Sequence, residues 1–291
     1  MQKTKLSESN EKKNVALSSV FAAILLTLTK LIVGLLTGSL GILSEAMHSG
    51  LDLIAAMMTY FAVKFADKPA DEDHHYGHGK IENLSALGET VLLLITCIWI
   101  IYEAVSRLIT GRTEIEVNFW SFAVMTLSIL VDFSRSRMLA RVAKKYKSQA
   151  LEADALHFST DILSSSVVIV GLIGSALHFP IADPIAALFV AGIVVWISFK
   201  LGKKAIDILL DKSPVNLKAQ IMEIVNTIPE VLVVHDIRLR TSGSMTFVEL
   251  NIHVAVDLNI SQAHQVSHHV EQKIMEKFDK CEVHVHAEPE N

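Results

Sequence analysis

"ILSEAMHSGLDLIA" occupies residues 42–55. The stretch is apolar enough to belong to a membrane-crossing helix, yet it carries Glu45, His48 and Asp52. On a helix, positions i and i+4 lie on one face about one turn apart. His48 and Asp52 therefore project together from a surface that is otherwise greasy. An aspartate at the centre of a membrane helix costs about 2.5–3.5 kcal/mol on insertion scales. The placement needs a reason.

The rest of the chain says what surrounds it. It has 291 residues, 51% of them hydrophobic, more than a soluble protein of this length usually carries. The charges are segregated. "VALSSVFAAILLTLTKLIVGLL" (15–36) holds one charge, whereas "ADEDHHYGHGK" (70–80) is almost wholly polar. Runs of the first kind fit helices of about 20 residues crossing a hydrocarbon core of about 30 Å. Six such spans are expected, near 14–37, 41–65, 83–107, 117–140, 150–177 and 182–208. Short turns near Thr37, Gly38 and Ser39 and near His178, Phe179 and Pro180 join spans one to two and five to six. Helices are the expected spanning element because a lone helix satisfies its own backbone in lipid.

Lysine and arginine orient the bundle. One set of span ends holds Lys3, Lys5, Lys12 and Lys13, then Lys64, Lys68 and Lys80, then Arg135, Arg137, Arg141, Lys144, Lys145 and Lys147, then Lys200, Lys203 and Lys204. The other set offers little beyond Arg107 and Arg112. The positive-inside rule then puts both termini in the cytoplasm of a multi-pass protein of the cell (inner) membrane. The polar start, MQKTKLSESNEKK, does not resemble a cleavable signal sequence, so the first span is read as retained. Cys97 and Cys281 supply neither a disulfide framework nor a thiolate zinc site.

The chain divides into a tail (1–13), a six-span transport domain (14–211) and a C-terminal domain (212–291). In the last, Leu217 to Thr227 and Ser261 to Phe278 read as helices. "VLVVHDIRLRT", "MTFVELNIHVAVD" and "CEVHVHAE" read as strands. The expected fold is an all-α six-helix transmembrane bundle plus a cytoplasmic α+β, ferredoxin-like αββαβ domain.

The fifth span repeats the opening pattern: "ALHFSTD" (155–161) places His157 and Asp161 four apart. Each pair alone could be polar residues satisfied by their neighbours. Two matching pairs, brought face to face, give two imidazole nitrogens and two carboxylate oxygens. That is a four-coordinate set suited to a tetrahedral dication, Zn²⁺ above all. Two aspartates also balance its charge where the dielectric is low. Glu45 is read as lining a wet vestibule, with a fifth-ligand or relay role as the alternative. In the loop after span two, Asp71, His74 and His78 are spaced so that a turn converges them, and Gly77 and Gly79 permit tight turns there. Seven more histidines fall in the C-terminal domain: His235, His253, His264, His268, His269, His284 and His286.

With six spans, HxxxD in the second and fifth, the "GHGKIE" loop and a histidine-bearing αββαβ domain, the chain resembles the cation diffusion facilitator family along nearly its whole length. The resemblance implies a homodimer in the lipid bilayer that moves divalent metal ions out of the cytoplasm in exchange for protons, with no nucleic acid partner. His48, Asp52, His157 and Asp161 would be the transport site. Many members carry Asp where this chain has His48, and the two-His, two-Asp form is similar to that of zinc-preferring members. Zn²⁺ is thus the expected substrate and regulatory ligand, with iron, manganese or cadmium as alternatives. Asp71, His74 and His78 match the family's loop site, and Lys80 and Asp211 a charge interlock. His235, His264, His286 and Glu288 match a binuclear regulatory site. Asn251 stands there where a histidine is expected, and His253 lies two residues on, so one metal is the expectation.

Two readings from other classes compete. An intramembrane metallohydrolase would use the same donors, but catalytic zinc usually keeps three protein ligands and there is no HExxH. A metal sensor would signal without moving ions.

Overall fold

The computed structural model describes residues 2–38, 40–110, 119–176, 182–278 and 280–290. Ser39, Arg112, the turn at His178, Phe179 and Pro180, and span-edge positions 117, 118 and 177 lie outside the described residues. The chain forms two compact units. The first comprises residues 1–68 and 81–205, the second 69–80 and 206–291.

The first unit is helical: α1 (Gln2–Thr37), α2 (Leu40–Ala66), α3 (Ile81–Thr110), α4 (Phe119–Tyr146), α5 (Gln149–Ala176) and most of α6 (Ala182–Leu209). α1 packs along α2 and α4 along α5, while α5 also meets α2 and α3. Small side chains allow these approaches: Ala16, Ala23, Ala55, Ala56, Ala62, Ala150 and Ala153 are all buried. The large apolar side chains, among them Leu25, Leu35, Ile98, Phe189, Trp196 and Phe199, point outward, as they do where the surroundings are lipid.

Four of these helices contain segments long and apolar enough to cross a membrane: Ser7–Leu36, Glu45–Ala66, Ile81–Thr110 and Pro184–Leu209. Six helices lie over the six expected spans, and four of them meet the length and apolarity of a membrane span among the described residues. α4 carries Asp132, Arg135, Arg137 and Arg141, and α5 carries Glu152, Asp154, His157 and Asp161. Asp132, Arg135, Asp154 and His157 are buried. Their charge lowers the apolar character of these two helices without facing the outside.

The second unit holds α7 (Leu217–Val225), β1 (Val233–Ser242), β2 (Met245–Val254), α8 (Ile260–Lys277) and β3 (Cys281–Pro289). The sheet order is β1-β2-β3, with β1 and β2 antiparallel and β2 and β3 parallel. A parallel pair needs a crossover, which α8 supplies. That helix starts at a capping box, in which Asn259 accepts from the Gln262 amide and the Gln262 side chain accepts from the Asn259 amide.

Alternation along the strands divides the sheet into two faces. Val248, Leu250, Ile252 and Val254 of β2, with Val283, Val285 and Ala287 of β3, join Ile221, Val225, Val270 and Ile274 of the helices in one core. Phe247, Asn251 and His253 fall on the other face. Part of that face is covered by the loop 69–80. Tyr76 meets Phe247 edge-on at 5.2 Å, and the Arg240 guanidinium lies 3.6 Å from the Tyr76 ring centroid. Gly79 permits the approach, since a Cβ there would sit 2.6 Å from the Ser242 carbonyl. Two tests follow from this packing. Ile252→Ala removes a fully buried side chain and should cost about 2–5 kcal/mol in urea unfolding of residues 213–291, and a loss near zero would contradict the core assignment. Gly79→Ala should expose the loop, read as faster amide exchange over residues 71–79.

Candidate metal centres

α2 presents His48 and Asp52, and α5 presents His157 and Asp161, each pair one helical turn apart. The structure brings all four together. His157 Nε2 lies 3.2 Å from Asp52 Oδ1 and 3.6 Å from Asp161 Oδ2. His48 Nε2 lies 3.6 Å from Asp161 Oδ1 and 3.9 Å from Asp52 Oδ1. For metal bonds of about 2.0–2.1 Å, neighbouring donors at a tetrahedral ion stand about 3.3 Å apart. The four observed imidazole–carboxylate spacings, 3.2–3.9 Å, lie near that value. Donor atoms of His48, Asp52 and Asp161 also lie within 4.8 Å of one another. His157 is 3% exposed and Asp52 9%, whereas His48 and Asp161 are half-buried. These last two line a cavity of about 260 Å³, together with Glu45, Glu103 and Arg107 and mostly apolar walls. The Arg107 Nε donates to Glu103 at 2.8 Å.

Counter-charges surround the donors. Lys30, buried on α1, donates to Ser49 Oγ at 2.7 Å and to Glu45 Oε2 at 3.2 Å. Glu45 is thus engaged by a lysine at the cavity margin. Arg135 donates to Asp132 Oδ1 at 3.2 Å and to Ser19 Oγ, with its guanidinium 3.6 Å from the Phe158 ring centroid. Lys30, Glu89, Asp132 and Asp154 belong to no motif in the sequence. The signal was present, because any ionisable side chain in an apolar span must be paired or put to use.

The loop donors also converge. Asp71 Oδ1 lies 3.2 Å from His74 Nδ1, and Asp71 Oδ2 lies 3.4 Å from His78 Nε2. The two imidazole centroids are 4.4 Å apart. Asp71 Oδ1 accepts from the His74 amide at 2.7 Å, which folds the turn. That amide hydrogen bond, aided by the His74 ring, holds the Asp71 carboxyl below the usual carboxylate range despite some desolvation. Among the described residues, His78 Nδ1 is buried without a partner.

In the C-terminal domain the register does the positioning. Asn251 pairs with His235 on one side and His286 on the other, and His253 pairs with Glu288. Glu288 Oε2 lies 3.4 Å from His253 Nε2 and 3.5 Å from His235 Nε2, and Oε1 lies 3.5 Å from His286 Nε2. His235, His253 and Glu288 form the three-donor cluster there. Asn251 occupies the middle of the row and donates to Glu288 Oε1 at 3.3 Å. His264 sits on α8, its ring centroid 5.1 Å from that of His268.

Lys80 and Asp211 meet at 2.7 Å, and Lys80 also donates to the Leu209 carbonyl at 3.3 Å. Asp211 has a positive φ of 57°, so the chain reverses sharply at this contact.

Comparison with known proteins identifies the family. The profile of the cation efflux transmembrane domain matches residues 16–210, and that of the cation efflux protein cytoplasmic domain matches residues 214–290. The chain belongs to the cation diffusion facilitator family. It is a multi-pass membrane protein, a cation efflux transporter for divalent metals and not an enzyme, which removes the metallohydrolase reading. Its relatives include the cation-efflux pump FieF of Cronobacter sakazakii, 33% identical over 282 residues that cover 94% of this chain and 91% of that one. FieF of Yersinia pestis (strain Pestoides F) is 30% identical over 95% of this chain and 92% of that one. Among solved structures, the metal-bound C-terminal domain of the CzcD transporter from Thermotoga maritima matches 25% of this chain and 87% of its own, with 25% identity and a TM-score of 0.25.

The Lys80–Asp211 contact can be measured. Both side chains are partly exposed, so their coupling in a double-mutant cycle of Lys80→Ala and Asp211→Ala should be about 0.2–1 kcal/mol in unfolding free energy. Strict additivity of the two single losses would mean that the contact contributes nothing.

Proposed function

We propose that the protein is a Zn²⁺/H⁺ antiporter that works by alternating access as a homodimer, with His48, Asp52, His157 and Asp161 as the transport ligands. One observation supports this reading: the Nε2 atoms of His48 and His157 each lie 3.2–3.9 Å from an oxygen of Asp52 and of Asp161, across two helices. Zn²⁺ has no geometric preference from its d-electrons and takes imidazole and carboxylate in four-coordinate sites. Two carboxylates neutralise its charge, so the loaded site is close to electroneutral in a low-dielectric setting.

The ligands also supply the exchange. An imidazole binds metal only when neutral, and free histidine titrates near pH about 6.5. Protonation of His48 or His157 at an acidic outer face would expel the ion and return a proton inward on the empty carrier. The cavity against His48 and Asp161 supports an aqueous approach to the ligands. We read residues 1–13 as a cytoplasmic tail, 14–211 as the transport domain with α4 and α5 crossing the membrane beside the other four helices, and 212–291 as a cytoplasmic metal-sensing and dimerisation domain. Asp71, His74 and His78 form a loop metal site. His235, His253 and Glu288, with His286 beside them and His264 on α8, provide the regulatory site. Zinc bound there would favour one arrangement of the dimer and link cytosolic zinc to transport rate. Lys80 and Asp211 act as a charge interlock at the end of α6.

The test is metal uptake by proteoliposomes with an imposed pH gradient, using Zn²⁺, Cd²⁺, Fe²⁺ and Mn²⁺ in turn. Zinc flux should exceed the others and collapse when the gradient is dissipated. Asp161→Ala should reduce it to the level of empty liposomes while the purified protein keeps its parental oligomeric state. His48→Asp should retain flux but admit more Cd²⁺, because an imidazole is exchanged for a charged oxygen donor. Parental zinc flux in Asp161→Ala would remove these four residues from the transport site.

A further inference from the structure

We infer that Glu89 and Asp154 form a proton-binding site inside the helical bundle, separate from the four metal donors, and that its proton leaves when a dication binds. The inference rests on the transport reading above and adds a second titrating locus to it.

Glu89 lies on α3 and Asp154 on α5, and both are fully buried. Glu89 Oε1 accepts from the Thr59 hydroxyl, while Glu89 Oε2 is buried with no partner among the described residues. Asp154 Oδ2 accepts from the Ser19 hydroxyl at 3.4 Å, and among the described residues Asp154 Oδ1 is likewise buried without a partner. The two carboxyls lie within electrostatic reach of each other and of His157. His157 Nδ1, the ring nitrogen facing away from Asp52 and Asp161, is a third buried polar atom with no partner among the described residues.

The surroundings decide which form the pair takes. Toward Glu89, α2 contributes the neutral Thr59, and α5 contributes Asp154 and His157. The α6 residues beside Ala86 on the same helix, Leu201 and Ala205, are apolar. Toward Asp154, α1 contributes Ser19, α4 contributes Arg135, and α5 contributes His157 and Asp161. Arg135 is the lasting cation of this group, and it also holds Asp132. Buried carboxylates require paired charge. Arg135 can serve Asp154 but not Glu89 as well, so the pair retains one proton, carried chiefly by Glu89. A neutral carboxyl also fits an oxygen that accepts no hydrogen bond.

A dication on His157 changes this balance. It places two positive charges within electrostatic reach of Glu89 and favours the carboxylate. The exchange is balanced: one dication enters, the Glu89 carboxyl O–H ionises, one proton departs, and the bundle gains one net positive charge rather than two.

Isothermal titration of the purified full-length protein with Zn²⁺, in two buffers of different protonation enthalpy, counts the protons released. Glu89→Gln keeps an oxygen for Thr59 and removes only the titration. It should bind as many zinc ions as the parent and release one proton fewer per protomer, and Glu89→Asp should recover that proton. An unchanged proton count in Glu89→Gln would overturn the assignment. So would the loss of one bound zinc, which would make Glu89 a metal ligand. The parent protein gives an independent reading by infrared difference spectroscopy, where zinc should bleach a protonated-carboxyl C=O band, and no bleach would also overturn the proposal. Asp161→Ala run alongside separates the two ideas, since parental zinc stoichiometry in that variant defeats the four-donor reading whatever Glu89 does.

Discussion

Charge inside an apolar bundle has to be met by charge or by hydrogen bonds, and the first structural unit is arranged around that constraint. α2 and α5 bring two aspartates and two histidines to one point. Leaving two buried carboxylates without cations would be costly, and single ionisable groups already cost kilocalories in a membrane interior. The neighbouring helices respond: Lys30 of α1 takes Glu45 and Ser49, and Arg135 of α4 takes Asp132 and Ser19. At the other end of α1, Lys12 meets Asp67 at 2.7 Å and Glu82 at 3.0 Å. Alanines at the helix crossings let these short and long polar groups reach each other.

The C-terminal domain solves a different problem with the same economy of means. Strand alternation gives one face to the core under α7 and α8, and the other face is left for polar chemistry. Register then lines up His235, Asn251 and His286 in one row and His253 with Glu288 in the next. A metal-binding surface emerges from pairing that the core residues enforce. A slip by one residue would carry the histidines into the apolar layer and the valines out of it.

Much of this was legible in the sequence. The paired HxxxD motifs, the polar loop and the αββαβ order are local patterns, and local patterns survive without knowledge of neighbours. The helical identity of all six long segments follows from the same apolar runs. What was hidden depends on approach between distant segments. Lys30 was visible as the one charge in its run, but its partners on α2 were not. Glu89 and Asp154 belong to no motif, and only the packing shows that both are buried. His264 joins His235 only through the family resemblance, since strand register does not reach α8. Nor could spacing reveal that Tyr76 would sit between Phe247 and Arg240, because that contact joins residues more than 160 positions apart.

The docking of that loop alters how the gene can be cut. The chain passes between its two compact units three times, at 68/69, 80/81 and 205/206. The twelve-residue insert 69–80 is therefore an outlying piece of the C-terminal body, encoded in the middle of the helical one. A stop codon after residue 211 would strip Tyr76 and Gly79 of their seat while leaving them in the product. A swap of C-terminal domains between relatives would succeed only if the insert travelled with its domain. Recombination at a single junction cannot separate the two bodies, so the insert and the sheet it rests on are expected to evolve as one inherited module.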